Sequence, residues 1–180
     1  MSNLPLHPAL VHLPLGLAIF LPLLAIAFAV GIWRGWFSEK SWAIVAFFHL
    51  ILFASAYVAL QTGENDEEKV EKVVVKTVVE EHEEKADVFF WASGLTLILS
   101  GGASLIRKDK LGAAARTASV LGLLAVAGLS LQVGHSGGAL VYQYGAAQAH
   151  IGPGGGKAEP GGEVRGPEAN PKGEEAHDND

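Results

Sequence analysis

Apolar residues gather into four runs, each long enough to cross a bilayer as a helix, separated by short polar or charged breaks. They cover residues 8–33, 42–61, 88–106 and 113–144. Pro8 suits the first turn of the opening helix, where its missing N–H is not needed. Pro14 and Pro22 fall inside that helix and predict kinks, which membrane bundles absorb when neighbours re-satisfy the freed carbonyls. Trp33, Trp36 and Trp42 flank a break that holds Arg34 and Lys40, as interfacial tryptophans do. Gly63, just after Gln61 and Thr62, reads as the C-cap of the second helix. No Lys or Arg precedes the first run, which is longer than the apolar core of a signal peptide; it is expected to remain as a transmembrane helix.

Residues 66–87 are charged but patterned. Val70, Val74, Val78, His82 and Ala86 recur every four residues, the stripe of an amphipathic helix. The runs Val73-Val74-Val75 and Val78-Val79 also suit a strand. The stripe continues into the third span through Phe89, Phe90 and Ser93, which favours one helix that starts ahead of the membrane. On that reading His82 faces inward, while Glu80, Glu81, Glu83 and Glu84 mostly face water. Residues 151–180 hold Gly, Pro, Glu, Lys and Asn with almost nothing apolar, and are expected to be a disordered tail.

Composition agrees with a small membrane protein. Of 180 residues, 49% are hydrophobic and 18% charged, and the mean hydropathy is +0.29. The net charge of −6 comes from residues 64–87 and the tail, and no basic, aromatic-laced patch is present to bind nucleic acid. Cysteine is absent, which excludes disulfides, thiolate metal sites and covalently attached haem. Arg34 and Lys40 lie in one short loop, and Arg107, Lys108, Lys110 and Arg116 in or beside the other. The positive-inside rule places both loops in the cytoplasm and both termini outside, although four lysines within 62–87 weaken the contrast.

That topology gathers histidines at the outer face. An ionisable side chain in or beside a bilayer is costly and marks a functional site by default. His12 opens the first span, with Gly16 one turn deeper on the same face leaving room for a flat ligand. His7 lies about 140° round the helix and belongs with the start of the chain rather than with that site. His82 precedes the third span, where neighbouring glutamates would favour its protonated form. His135, Gly138 and Tyr142 share a face of the fourth. Each has a plainer reading: His12 bonding a carbonyl freed by a proline, and Gly134 and Gly138 serving close helix packing. His49 stands apart near mid-membrane. His150 and His177 receive no role.

Three chemistries use such a set. Bis-imidazole b-type haem needs two histidines on facing helices. Zinc or another divalent metal would take His12, His82 and His135 with Glu64 or water. A proton relay would use the same residues without metal. No nucleophile elbow, phosphate loop or His-Glu-x-x-His motif supports hydrolase or nucleotide chemistry.

Several separated motifs occur together and in order. His7-Pro8-Ala9-Leu10-Val11-His12-Leu13-Pro14-Leu15-Gly16 opens the first helix, and Thr62-Gly63-Glu64 closes the second. Val79-Glu80-Glu81-His82-Glu83-Glu84 leads into the third, and Gly134-His135-Ser136-Gly137-Gly138-Ala139-Leu140-Val141-Tyr142 ends the fourth. Over residues 5–149 the chain resembles the bacterial DUF2231 family of predicted four-helix integral membrane proteins. The resemblance implies association with c-type cytochromes and other redox modules, and hence electron transfer. The family pattern often carries a histidine just after the Val-Tyr pair; here the stretch reads Gln143-Tyr144-Gly145.

The expectation is therefore an all-α, integral membrane four-helix bundle of the bacterial inner membrane, with an amphipathic extension before the third span. It would bind haem b near the outer face and transfer electrons, with His12 and His82 as axial ligands and His135 in reserve. Gly16, Gly138 and Tyr142 would line the pocket. The alternatives are a non-haem metal protein and a non-catalytic structural or assembly subunit with structural histidines.

Overall fold

The computed structural model describes residues 6–106 and 109–150, the side chain of Asp109 excepted. Five α-helices form among them: α1 His7–Leu10, α2 His12–Trp33, α3 Trp42–Val70, α4 Lys76–Leu105 and α5 Asp109–Tyr142. Short 3₁₀ turns cover Glu39–Ser41 and Ala146–His150, and the described residues contain no strand. The four long helices are long and apolar enough to cross a membrane. The expected tail, and the loop residues Arg107 and Lys108, lie outside the described residues.

Local chemistry accounts for the breaks. Pro14 has no N–H to give the Leu10 carbonyl, so the first span divides at Val11, and the ladder resumes with Leu15 N–H on the Val11 carbonyl at 3.2 Å. Pro22 sits inside α2 without ending it. The end of α2 is closed by Gly35 at φ +74°, with Trp36 N–H on Gly31 O at 2.8 Å and Gly35 N–H on Ile32 O at 3.0 Å. That paired closure needs a left-handed residue, which glycine supplies at no steric cost.

The helices run alternately up and down and neighbour one another in the ring α2–α3–α4–α5–α2. The core joins Ala18, Leu21 and Ala25 of α2, Trp42, Val45, Leu52 and Ala56 of α3, Phe89 and Ala103 of α4, and Leu123 and Val126 of α5. The polarity around this core is inverted relative to a water-soluble domain. Leu23, Leu95 and Ile98 are 64%, 64% and 72% exposed, whereas His49, Ser93, Ser100 and Ser119 are fully buried. An apolar exterior, with an imidazole and several hydroxyls kept inside, is stable only where lipid covers the outside. Arg116 is also buried, with the Glu39 carboxylate 3.9 Å away, at the end carrying the basic loops.

Two sequence expectations are corrected. Gly63 is not a C-cap: α3 runs through it to Val70, about two and a half turns past Gln61, where the apolar run stops. Nor is 66–87 one helix. Residues 66–70 end α3, a turn follows, and α4 begins at Lys76 behind an extended Val75 with φ −63° and ψ 127°. The valine stripe is still buried, but by a hairpin tip. Val74 and Val79 pack with Leu140 and Ala146, flanked by Val70 and Val78. Burying Val74 at the turn outweighs the local preference for continuous helix, which three successive β-branched residues already weaken. The amphipathic extension before the third span is thus the first three turns of α4, upright on the bundle.

Candidate histidine site

At the end of the bundle opposite the basic loops, His7 and His82 are each seated by the same device. His7 lies at the start of α1, which rests on α3. Its Nδ1 meets the Ala59 carbonyl at 2.8 Å and Thr62 Oγ1 at 3.3 Å. Thr62 already directs its own hydroxyl proton to Val58 O or Ala59 O. Both neighbours are therefore acceptors, and the network assigns the proton of His7 to Nδ1.

His82 projects from α4 to α5, as the stripe predicted. Its Nδ1 lies 2.8 Å from Ser136 Oγ, and that hydroxyl donates to Val133 O at 3.0 Å. Ser136 must then accept from His82, which again carries its proton on Nδ1. In both rings Nε2 keeps its lone pair.

Glycines make room for the rings. A Cβ on Gly63 would stand 3.1 Å from His7 Cε1, and one on Gly137 would stand 3.1 Å from His82 Cε1. This explains a glycine in mid-helix at residue 63, where it costs about 1 kcal/mol relative to alanine.

His82 precedes the apolar run that begins at Val88, yet its pKa is lowered to about 4, chiefly by burial and in smaller part by the neighbouring His7 and Lys85. The expectation that glutamates would protonate it is overturned. Glu80, Glu81 and Glu84 point to solvent, and Glu81 is held by Lys85 at 2.6 Å. The charged side chain that does act on His82, Lys85, is positive. A neutral imidazole is the form that can bind a metal.

The other expected members lie elsewhere. His12 is exposed and turns back to the Ala9 carbonyl at 3.3 Å, and Gly16 beside it faces open space. His135 is exposed, Gly138 has nothing within 4 Å of an added Cβ, and Tyr142 is 90% exposed. Glu64 is exposed and held by Gln61 at 2.9 Å. The structure thus brings His82 toward His7 and leaves His12, His135, Gly16, Gly138 and Tyr142 on outward faces. Among the described residues no three His, Asp or Glu side chains converge as a metal cage would need. A shallow cleft of about 180 Å³ along α4 and α5, lined by Glu84, Lys85, Val88, Leu129 and Gln132, includes none of the histidines.

Sequence reading missed His7, Thr62, Gly63, Ser136 and Gly137. The available signals were the helix-interior glycine at 63 and the serine beside His135. No curated protein and no solved structure matches the chain. The pattern of one family, described as a predicted membrane protein (DUF2231), matches residues 3–150 and so takes in all four long helices. An apolar four-helix bundle whose motif residues gather at one end is thus matched along its whole described length, and the chain belongs to the DUF2231 family of predicted membrane proteins.

Proposed function

We propose that this membrane protein binds a b-type haem through His7 and His82 and carries electrons in the bacterial cytoplasmic membrane. One observation carries the reading: two imidazoles from different helices each have Nδ1 fixed by a protein acceptor and Nε2 free. Anchoring of one ring nitrogen is the usual arrangement behind a metal-ligating histidine, because it sets the tautomer and the ring direction. The donor count favours haem over zinc. Zinc asks for three or four protein ligands, whereas haem iron needs two axial imidazoles and brings its own four nitrogens. Bound there, the iron would supply one-electron chemistry.

The chain's own residues would do the rest. Ala59 and Ser136 hold the two tautomers, Gly63 and Gly137 fix the ring positions, and burial keeps His82 neutral. With the basic loops cytoplasmic, the site faces the periplasm, where a c-type cytochrome or another redox subunit is the partner of fitting chemistry.

The test is a spectrum of protein purified in detergent from haem-replete cells. A Soret band with α and β bands sharpening on reduction is expected. His7→Ala or His82→Ala should abolish it, and His12→Ala or His135→Ala should leave it. A colourless wild type sinks the proposal. A second reading rests on the same bonds, since His7 staples α1 to α3 and His82 staples α4 to α5. A colourless wild type destabilised by His82→Ala would favour that accessory, structural role.

A further inference from the structure

His49 sits two turns into α3 from Trp42, fully buried, with neither ring nitrogen in a hydrogen bond. A neutral imidazole has one donor and one acceptor, and in a bilayer interior leaving them unmet costs several kcal/mol. The group facing it on α4 is Ser93, whose backbone carbonyl approaches the ring without completing a bond. Ser93 is itself fully buried, and its Oγ is also unpartnered.

Two adjacent orphaned groups on facing helices differ from the other interior hydroxyls. Thr96, Ser119 and Ser130 each return their proton to a carbonyl one turn back, at 2.8 Å. That is the ordinary way a membrane helix hides a hydroxyl. Ser93 does not take it, and neither does Ser100 two turns further along the same face. A purely structural histidine would be expected to staple α3 to α4, as His82 staples α4 to α5. His49 forms no such staple.

We propose that His49 and Ser93 form a mid-membrane site for internal water, with Ser100 extending it toward the basic-loop end. A water molecule is the smallest guest that can accept from the imidazole N–H, donate to its lone pair and bond Ser93 Oγ, and buried water typically makes about three such bonds. The site is separate from the His7–His82 pair and stands whether or not that pair binds haem. It would put an exchangeable proton-accepting group inside the hydrocarbon layer, where an ionisable residue marks function.

The experiment uses the full chain in lipid, with ¹⁵N-labelled histidine and His49 assigned by loss of its signals in His49→Leu. Solid-state NMR should show magnetisation transfer from water to a His49 ring nitrogen and exchange of its N–H proton in D₂O. A dry ring bonded directly to the Ser93 carbonyl, with no water transfer, would overturn the proposal. Stability gives a second readout. His49→Leu and Ser93→Ala should each lower Tm, and the double variant should fall by less than the sum because both remove the same water. A Tm raised by His49→Leu, or strictly additive losses, would mean that the site is dry.

Discussion

Two faces of this bundle carry the same ingredients and put them to different use. On the inward face His7 lies on Gly63, and His82 lies on Gly137 beside Ser136. On the outward face His12 stands above Gly16, and His135 above Gly138. In the α5 motif the two faces are neighbours in sequence: Ser136 and Gly137 turn in, His135 and Gly138 turn out. Spacing identifies residues that share a face but not which face meets another helix. Only the inward set gives its imidazoles a defined proton position and a packed seat.

The widest separation between the faces should come from adding one methyl group. Gly63→Ala or Gly137→Ala drives a Cβ to 3.1 Å from an imidazole carbon, a tight contact that a ring held at Nδ1 has little room to relieve. Overpacking of that kind costs ~1–3 kcal/mol, and it would shift the ring from its anchor. Gly16→Ala and Gly138→Ala meet open space, so alanine's better helix propensity should raise stability by up to ~1 kcal/mol. Thermal unfolding of the four variants in one detergent checks this. The comparison collapses if all four shift in the same direction.

A smaller effect should follow from unseating the proton alone. Ser136→Ala leaves the His82 Nδ1–H without its acceptor, at a cost of about 1–3 kcal/mol for an unsatisfied buried donor. The same change at the outward neighbour, His135→Ala, removes no bond found among the described residues. If haem is bound, Ser136→Ala should also shift its midpoint potential, because the ligand's basicity depends on that bond. An unchanged Tm and an unchanged potential would show that Ser136 does not hold His82.

Much of the architecture was legible because bilayers impose a simple rule on sequence. Four apolar runs, punctuated by prolines, tryptophans and basic loops, map onto four long helices. Side-chain direction was readable where a stripe continued into a span, which is why His82 was placed inward. It failed at His7 and His12: the backbone stays helical through Val11, so the two lie on different sides of one continuing spiral, and only the packing of α1 on α3 decides that His7 is the one turned in. It failed again at Val73-Val74-Val75, where burial of Val74 against Leu140 and Ala146 decides the turn. That contact lies more than sixty residues away in sequence and leaves no local mark.

Acid should sharpen the contrast further. His82 titrates at about 4 when folded and at the ordinary 6.5 when exposed by unfolding. Between those values the unfolded chain binds the extra proton, so this residue's contribution to stability is present above pH 6.5 and is lost as pH falls toward 4. Glu83 acts in the opposite sense, since burial, followed by the charges of Glu67 and Glu71, raises its pKa. The difference between wild type and His82→Gln isolates the histidine. Tm of the wild type should fall more steeply than that of His82→Gln between pH 6.5 and 4. Parallel curves would mean that the folded imidazole titrates normally.

The smallest expected effect lies at the outermost member of the outward face. Tyr142 was expected to edge a cofactor, and at 90% exposed it touches almost nothing within its own chain. Tyr142→Phe should therefore change Tm by no more than the ~0.5 kcal/mol typical of a surface substitution. It should also leave any haem spectrum unchanged, since neither His7 nor His82 depends on it. Its value lies in its asymmetry with Ser136→Ala, six residues away on the same helix. If Tyr142→Phe disturbs the spectrum as strongly as Ser136→Ala, the outward face must join the site through a contact that this chain does not make alone. His12, Gly16, His135 and Gly138 would then be the next residues to vary.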